Sequence, residues 1–470
     1  MRWIVKKFSG KRALSALLAL CLVITLAAVP VSAAAPVAAP DGKVIIEQTQ
    51  YQLARGVTET DVFLNEPDGS GQIAGCLLTV EPGAGAAFRA SYGGYYTPGS
   101  TPDSRKDAAE ALSWTLSSTT AQARAYETAT GGTVLAATNG DYFNMQTAQP
   151  TGYLIMESNV IQTGAEPYFA VLNDGTYAIR EAGEDCSDVA EAISGPFFLV
   201  RDGQIADGLN RTDKMPRNSV GIKADGTVVT FLADGRQYPY SVGMTLYDMA
   251  TFLLAQGVED ALYLDGGGSA TFATRREGTQ ELAIRNSPSD GQERTVSSAL
   301  LLVSTAAADG TFDHASLSPN NQLFTPGSHV QFTAAGVDAA GGPAELPEDA
   351  QRAPAESKCG TIDESGLFTP AADYRGGVTV SLVCGGETAG TTTVTIADVT
   401  ELGFSGSAVS LGFGQAPDLG LTVKTGGRAI SYKDGDFIWT VTPDEGSAEP
   451  GAVAGNLFTA AGGTQTMTGT

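Results

Sequence analysis

The pattern of apolar residues changes near residue 306, and this change limits the folds open to the chain. Residues 41–305 mix helix-type and strand-type periodicity, whereas the chain after STAAADG consists of short alternating strands punctuated by Gly, Pro and Asn. The first part predicts an α+β domain with mixed β-sheets and a few helices. The second part predicts all-β sandwich modules.

A repeated motif divides the second part of the chain. GTIDESGLFTPA at 360–371 returns as GAVAGNLFTAA at 451–461, with Phe368 matched by Phe458. The motif resembles bacterial immunoglobulin-like modules, so we expect one sandwich over 310–397 and a second over 398–470. The chain stops at TMTGT, at a point after the motif where the first copy still continues with a strand or two. We therefore expect the second sandwich to be incomplete, or the chain to be a fragment of a longer surface protein.

The first 33 residues predict an export signal. Five Lys and Arg residues without an acid precede the apolar run ALSALLALCLVITLAAV, and VSAA supplies the small residues of a cleavage site near Ala33. No later stretch approaches the roughly 20 apolar residues that cross a bilayer, so no membrane span is expected after cleavage. We expect a bacterial protein that is secreted or held noncovalently at the cell surface.

The acidic composition limits the partners. The chain has 52 Asp and Glu residues against 28 Lys and Arg, a formal net charge of −24, and the export signal would remove only basic ones. Such a surface repels nucleic acid and anionic membranes. An anionic substrate would therefore have to be bound by a few local arginines.

Residues 41–305 contain no histidine, because His314 and His329 lie beyond the break. This excludes Ser-His-Asp, Cys-His and histidine–zinc sites from the first domain. No EF-hand loop occurs, so no cofactor or metal site is predicted; a divalent cation held by scattered carboxylates stays open.

Four cysteines remain after the export signal. Cys359 and Cys384 lie in one all-β region, where a disulfide between neighbouring strands is expected. For Cys76 and Cys186, a disulfide and two buried thiols stay equally open.

Three glycines follow an aspartate in ALYLDGGGSATFATRR, residues 261–276. ALYLD predicts a buried strand that ends at Asp265, and the glycines allow close approach of the backbone to another group. No Gly-Lys-Ser/Thr follows, which excludes a Walker loop, and the dinucleotide-binding spacing is absent. One explanation is a packing turn. The other is a loop whose N–H groups, with the Ser269 and Thr271 hydroxyls, bind phosphate or sugar hydroxyls.

Other segments predict elements around this turn. TVLAATNGDYFN is typical of a strand that leads into Asn139-Gly140-Asp141-Tyr142-Phe143, and PRNSVGIKADGTVVTFLADGR of a hairpin that turns at Asp225-Gly226. TLYDMATFLLAQGV predicts a helix with a capping box of Thr245 and Asp248 and an end at Gly257.

Six segments in order resemble the phosphodiester glycosidase family, across about residues 45–305: NGDYF, SGPFFLV, PRNSVGI, AQGV, ALYLDGGGSATF and ERTVSSALLL. The resemblance implies hydrolysis between the anomeric carbon of a sugar and a phosphodiester oxygen. The implied substrate carries an N-acetylglucosamine-type sugar, or is an exopolysaccharide or cell-wall glycan. Three residues depart from those frequent in the family. Tyr263 and Phe272 are expected to affect packing, and Asn218 a substrate contact.

The resemblance also implies roles for individual residues. Asp265 and Asp141 are the expected catalytic carboxylates, since glycoside hydrolysis usually needs two carboxyl groups; which of them is the base stays open, and Asp141 could instead cap an Asx turn. The expected substrate-binding residues are Asn139, Gly140, Arg217, Gly266, Gly267, Gly268, Ser269, Thr271 and Arg294. An ion pair is the alternative for each of the two arginines, and Asp234 and Arg236 are expected to lie in a turn.

Two other classes of function stay open. The first domain could be a catalytically silent glycan-binding module that uses the same loop. The whole chain could serve as an adhesin-like surface protein, as the sandwich repeat favours. Turnover of a sugar phosphodiester separates the enzyme from both.

Overall fold

The computed structural model describes residues 37–40, 42–66, 71–110, 114–354 and 357–404, followed by 421–425, 428–433, 436–438, 440–445, 450–454 and 457–461. The expected export signal at 1–33 lies outside the described residues. Within them, no helix has both the length and the apolar character needed to cross a membrane.

The described chain has three α-helices: α1 (Pro102–Glu110), α2 (Thr119–Thr130) and α3 (Leu246–Ala255). Two single 3₁₀ turns lie at Gly267–Ser269 and Ser357–Cys359. The predicted capping box of α3 is confirmed, because Thr245 and Asp248 bond to each other's backbone N–H groups. The helix ends at Ala255 with Gln256 as its C-cap, followed by Gly257 with φ +82°.

Among the described residues, twenty strands lie in the first part of the chain. They are β1 Val44–Ala54, β2 Val57–Asn65, β3 Gln72–Val80, β4 Ala86–Tyr92, β5 Ser117–Ser118, β6 Val134–Asn139, β7 Leu154–Met156, β8 Asn159–Gln162, β9 Tyr168–Leu172, β10 Tyr177–Arg180, β11 Val189–Ser194, β12 Phe198–Arg201, β13 Gln204–Ile205, β14 Arg217–Lys223, β15 Val228–Ala233, β16 Val258–Leu264, β17 Phe272–Thr274, β18 Ala283–Ile284, β19 Thr295–Val296 and β20 Ser298–Ser304.

These strands form one large sheet and three smaller ones. The eight-stranded sheet has the order β1-β2-β3-β15-β14-β16-β12-β13, the five-stranded sheets have the orders β10-β9-β11-β7-β8 and β18-β17-β6-β20-β4, and β19 pairs with β5. The prediction of β-sheets with a few helices is confirmed, and the domain is mostly β-sheet. The prediction of mixed sheets is wrong, because every pairing among these described strands is antiparallel. Tight turns such as Asp225-Gly226 join antiparallel neighbours, whereas parallel strands need long crossovers.

The eight-stranded sheet is buried on both faces. Successive strand residues point to opposite sides, so Leu78 packs toward the smaller sheets while Leu77 packs toward α3. On the α3 side the rings of Phe231 and Phe252 stack with centroids 4.0 Å apart. Strand β16, in the interior of this sheet, is therefore packed on both faces. This packing holds its carboxyl end in a defined position, where a functional group can be placed.

The described residues of the second part form fifteen strands. They are β21 His314–Ser318, β22 Leu323–Phe324, β23 Val330–Gln331, β24 Thr333–Val337, β25 Pro343–Ala344, β26 Gln351–Pro354, β27 Gly360–Ile362, β28 Leu367–Pro370, β29 Gly376–Cys384, β30 Glu387–Ile396, β31 Glu401–Phe404, β32 Leu421–Thr425, β33 Arg428–Ala429, β34 Gly451–Ala454 and β35 Leu457–Ala460.

Strands β21–β30 form three small sheets around one apolar core that includes Phe332 and Phe368. The region is all-β, and its immunoglobulin-like class stays a prediction. The repeated motif forms the same hairpin twice, β27–β28 and β34–β35. Gly360 and Gly451 both have large positive φ, 146° and 150°. A side chain at either would collide with the facing strand and with the ring of Phe368 or Phe458, so the repeated sequence encodes a repeated local structure.

The described residues contain no disulfide. Cys359 lies in the core of the β21–β30 module, and Cys384 is partly buried against that core. Cys76 and Cys186 lie in separate apolar clusters. The expected Cys359–Cys384 disulfide is absent from the structure, in which all four of these cysteines are thiols.

Candidate active site

Asp265 is the first residue after the central strand β16, as the sequence predicted. Its N–H donates to the carbonyl oxygen of Gly140 at 2.9 Å. This hydrogen bond joins the Asn139-Gly140-Asp141 turn, at the end of β6, to the glycine turn at the end of β16. Two segments 125 residues apart in sequence thus form one site.

Two buried asparagines hold these turns together. Asn139 donates its side-chain N–H to the Asp265 carbonyl at 2.6 Å and accepts the Thr271 N–H at 3.0 Å. The Asn218 amide in turn donates to Asn139 Oδ1 at 3.1 Å and to Thr138 Oγ1 at 2.9 Å. Asn218 is only 1% exposed, so it positions Asn139 instead of making the substrate contact that the sequence led us to expect.

Packing accounts for the three glycines. A Cβ on Gly266 would lie 2.7 Å from the Pro216 carbonyl oxygen, and one on Gly268 would overlap the side chains of Arg294 and Asp290. Gly267 has φ +58°, which favours glycine. Its N–H donates to Pro216 O at 2.9 Å, so this amide is already occupied. The close approach that glycine allows is, in this structure, an approach to arginine and proline.

Burial raises the pKa of Asp265 to about 6. Hydrogen bonds from the Ser269 side chain and the Gly266 backbone, together with the charge of Arg294, oppose this rise. The carboxyl group is therefore able to change protonation state near neutral pH, which suits acid–base or nucleophilic chemistry.

Asp141 is the more deeply buried carboxylate, at 2% exposure. Its Oδ2 accepts the Gly152 N–H at 2.7 Å and the Thr151 hydroxyl at 3.1 Å. These partners are ten and eleven residues away, so an Asx turn does not explain the side chain. Oδ1 is buried and has no hydrogen-bond partner among the described residues. Burial raises the pKa of Asp141 to about 7, so its acid form persists to neutral pH.

Arg217 is 4% exposed and is held from three directions. Nε donates to Met244 O at 3.1 Å, Nη2 to Asp213 O at 2.8 Å, and Nη1 to the Tyr263 hydroxyl at 3.2 Å. The Tyr263 ring stacks on Phe197 with centroids 5.3 Å apart. Tyr263, expected to affect only packing, thus also orients an arginine of the site.

Tyr142 is a site residue that the sequence reasoning missed. Its ring meets the Tyr263 ring edge-on at 6.1 Å, and it is 37% exposed. Burial, the Tyr263 hydroxyl and the charge of Asp265 raise the pKa of its phenol. Its place directly after Asp141 in NGDYF was the signal available in the sequence.

The remaining predicted binding residues divide into exposed and buried ones. Arg294 donates to Ser269 Oγ at 3.3 Å and also pairs with Asp290 at 2.6 Å, so both the site position and the alternative ion pair exist. Thr271 is fully buried, and its hydroxyl donates to Ser269 O at 3.2 Å. Phe272 packs in the core as expected.

Asp234 belongs to the scaffold beside the site. Its carboxylate accepts the Asn286 amide at 2.9 Å, the Ser287 N–H at 2.8 Å and the Tyr240 hydroxyl at 3.2 Å. It fixes residues 234–241 against residues 286–287. Within the described chain, no group of three or more His, Cys, Asp and Glu side chains is placed to bind a metal ion.

Two largely buried carboxyl groups of raised pKa follow β6 and β16, and Arg294 lies at the adjoining glycine turn, an arrangement suited to acid–base chemistry on an anionic substrate. Residues 132–303 match the family model of the phosphodiester glycosidases. This segment, which holds every predicted site residue, is a domain of the phosphodiester glycosidase family.

Parts of two curated proteins are similar to this chain. The chain is 29% identical over 161 residues to mouse N-acetylglucosamine-1-phosphodiester alpha-N-acetylglucosaminidase, covering 29% of this chain and 31% of that protein. It is 34% identical over 145 residues to the uncharacterized prophage-derived protein YomE of Bacillus subtilis, covering 28% and 21%. The matches thus span a third or less of these relatives.

Among solved structures, the chain is similar to the catalytic domain of zebrafish N-acetylglucosamine-1-phosphodiester alpha-N-acetylglucosaminidase. The identity is 20% and the TM-score 0.39, over 54% of this chain and 87% of that one.

Proposed function

We propose that the protein hydrolyses glycosyl phosphodiesters at the bond between the sugar's anomeric carbon and the phosphate oxygen. The observation that carries the proposal is the junction of the Asp141 and Asp265 turns through the Gly140–Asp265 hydrogen bond. It brings together the ends of β6 and β16, strands of two different sheets, which carry two carboxyl groups of raised pKa inside a domain of the matching family.

The two carboxyl groups differ in a way that suggests separate roles. Asp141 has the higher pKa and a buried, unpartnered Oδ1, so it is the better proton donor to the leaving oxygen. Asp265 receives hydrogen bonds and faces Arg294, which favour its ionised form, so it is the better base or nucleophile. Phosphate leaves readily once its charge is neutralised, so arginines share the stabilisation of the transition state.

We further propose that the sugar is of N-acetylglucosamine type, as the names of the mammalian relatives suggest, or belongs to an exopolysaccharide or cell-wall glycan. The basic and apolar start of the sequence supports secretion or attachment at the cell surface.

Hydrolysis of an N-acetylglucosamine phosphodiester in water enriched in ¹⁸O tests the reaction. Mass spectrometry of both products shows which bond breaks. We expect the label in the anomeric hydroxyl of the sugar. Label in the phosphate would mean attack at phosphorus and would contradict the proposal. Binding without any product would favour a glycan-binding module, and a survey of wall teichoic acid, capsule and small diesters would then identify its ligand.

A further inference from the structure

Arg236 lies at the turn that follows β15 and has an unusual environment. It is exposed, and its backbone has φ +62°, a left-handed conformation that is uncommon for residues other than glycine. Such conformations cluster at functional sites when the surrounding structure enforces them. Here the preceding Gly235 packs so closely on Met215 and Pro216 that a Cβ would lie 2.6 Å from Pro216 N.

The guanidinium group of Arg236 faces the glycine turn. A Cβ placed on Gly267 would lie 3.5 Å from both Nη1 and Nη2 of Arg236. The hydrogen-bond acceptor of Nη2 is the Met215 thioether sulfur, at 3.0 Å, and thioethers are weak acceptors. Among the described residues Arg236 forms no ion pair, although the chain carries 52 acidic residues.

The other two arginines at this turn differ from Arg236. Arg217 is buried and already donates to two carbonyl groups and Tyr263. Arg294 lies against Gly268, the next residue along the turn from Gly267. It also forms an ion pair with Asp290. Of these three arginines, Arg236 is therefore the one that is exposed and whose charge is not paired with a carboxylate among the described residues.

We propose that Arg236 binds a non-bridging oxygen of the substrate phosphate, with Arg294 as the second contact at Gly267 and Gly268. Arg217 is then a positioning residue that holds the Pro216 and Tyr263 side of the turn. The inference rests on the proposed function, because it assigns the phosphate of that substrate to a place beside Asp265.

The chemistry of the two side chains supports this assignment. A guanidinium fork matches the oxygens of a phosphate group and stays charged at every relevant pH. In a strongly acidic chain, two local arginines supply the attraction that the overall field does not. Because Gly267 and Gly268 have no side chains, the turn leaves space beside both guanidinium groups. The phosphate can then reach both arginines while the sugar reaches Asp265.

Arg236→Gln and Arg236→Lys test the inference, with Arg124→Gln as control. Arg124 is an exposed arginine of α2 that has no ion pair among the described residues. We expect Arg236→Gln to lower kcat/KM for the diester about a hundredfold, as removal of one charge-stabilising donor does. Arg236→Lys should recover part of the loss, and Arg124→Gln should match the wild type. Thermal melting of each variant checks folding.

Binding of inorganic phosphate, followed by calorimetry, separates this inference from the proposed function because it needs no turnover. Wild type and Arg124→Gln should bind phosphate at least about tenfold more tightly than Arg236→Gln. Equal phosphate binding and equal kcat/KM in Arg236→Gln would overturn the role of Arg236 while leaving the glycosidase intact. A wild type that binds phosphate through Arg236 but never cleaves the diester would instead overturn the proposed function.

Discussion

Asp265 donates its backbone N–H to the carbonyl oxygen of Gly140 at 2.9 Å, and this contact joins the two segments that carry the candidate carboxyl groups. The returning bond from the Asn139 side chain to the Asp265 carbonyl closes a small ring of hydrogen bonds. Because Asn139 is fully buried, the geometry of both turns depends on the core of the domain.

The pH dependence of kcat/KM should be a narrow bell. Asp265 must be ionised, so activity should rise as pH passes about 6, the pKa of Asp265. Asp141 must be protonated, so activity should fall as pH passes about 7, the pKa of Asp141. Initial rates between pH 4 and 9 measure both limbs. An alkaline limb that persists unchanged in Asp141→Asn would show that another group supplies the proton.

Asp141→Asn should also change how stability depends on pH. The folded pKa of about 7 lies above the unfolded value of 3.8, so the folded state binds the proton more tightly. The wild type should therefore lose stability as pH rises from about 4 to 7, by up to a few kcal/mol. In urea unfolding at several pH values, the asparagine variant should lose the part of this slope that Asp141 contributes, while Glu191 and Asp61, whose pKa values burial also raises, keep theirs. A matched Asp174→Asn change, in an exposed turn, should leave the slope in place.

Tyr263→Phe should lower kcat about tenfold, because Arg217 loses one hydrogen bond and the turn beside Pro216 loses support. Phosphate binding should change little if Arg217 is a positioning residue. Steady-state kinetics and calorimetry give the two quantities. A large loss of phosphate affinity with normal kcat would place Arg217 in contact with the substrate.

Gly268→Ala should reduce activity by moving Arg294, since the new methyl group overlaps its guanidinium. We expect kcat/KM to fall by at least about tenfold, given the cost of misplacing a site group. Gly85→Ala is the control, because a Cβ there meets no atom within 4 Å. Similar activity for both variants would mean that Arg294 tolerates displacement.

A fragment of residues 37–306 should keep activity on a small diester but melt at a lower temperature than the full chain. The second part packs on the first through a 3.1 Å ion pair of His314 with Glu277, and a 3.0 Å hydrogen bond from Asn320 to Gln50. Glu277 and Asp313 raise the pKa of His314 to about 8 against the opposing effect of burial. This contact stabilises fully below about 6.5 and weakens as pH passes 8. A full chain that melts like the fragment at pH 6 would contradict a stabilising role.

The sequence predicted the positions of Asp265 and Asn139 at the ends of strands better than the packing around them. Runs such as ALYLD and TVLAATN fix a buried strand and its end, so the places of Asp265 and Asn139 followed from local pattern. The antiparallel order of the sheets did not, because it depends on pairings between segments far apart in sequence. The contacts of Arg236 with Gly267 and of Tyr263 with Arg217 arise only when those strands pair, and a turn or packing residue was the simplest sequence interpretation of each.

Turnover of an N-acetylglucosamine phosphodiester by the wild type and by Asp265→Asn tests the central claim most directly. Asparagine keeps the size of the side chain and removes its charge. We expect the wild type to release free sugar and a phosphomonoester, and the variant to do so at least about a hundredfold more slowly with an unchanged melting temperature. A folded Asp265→Asn that retains near wild-type turnover would contradict the account and reduce the aspartate and its three glycines to a structural turn.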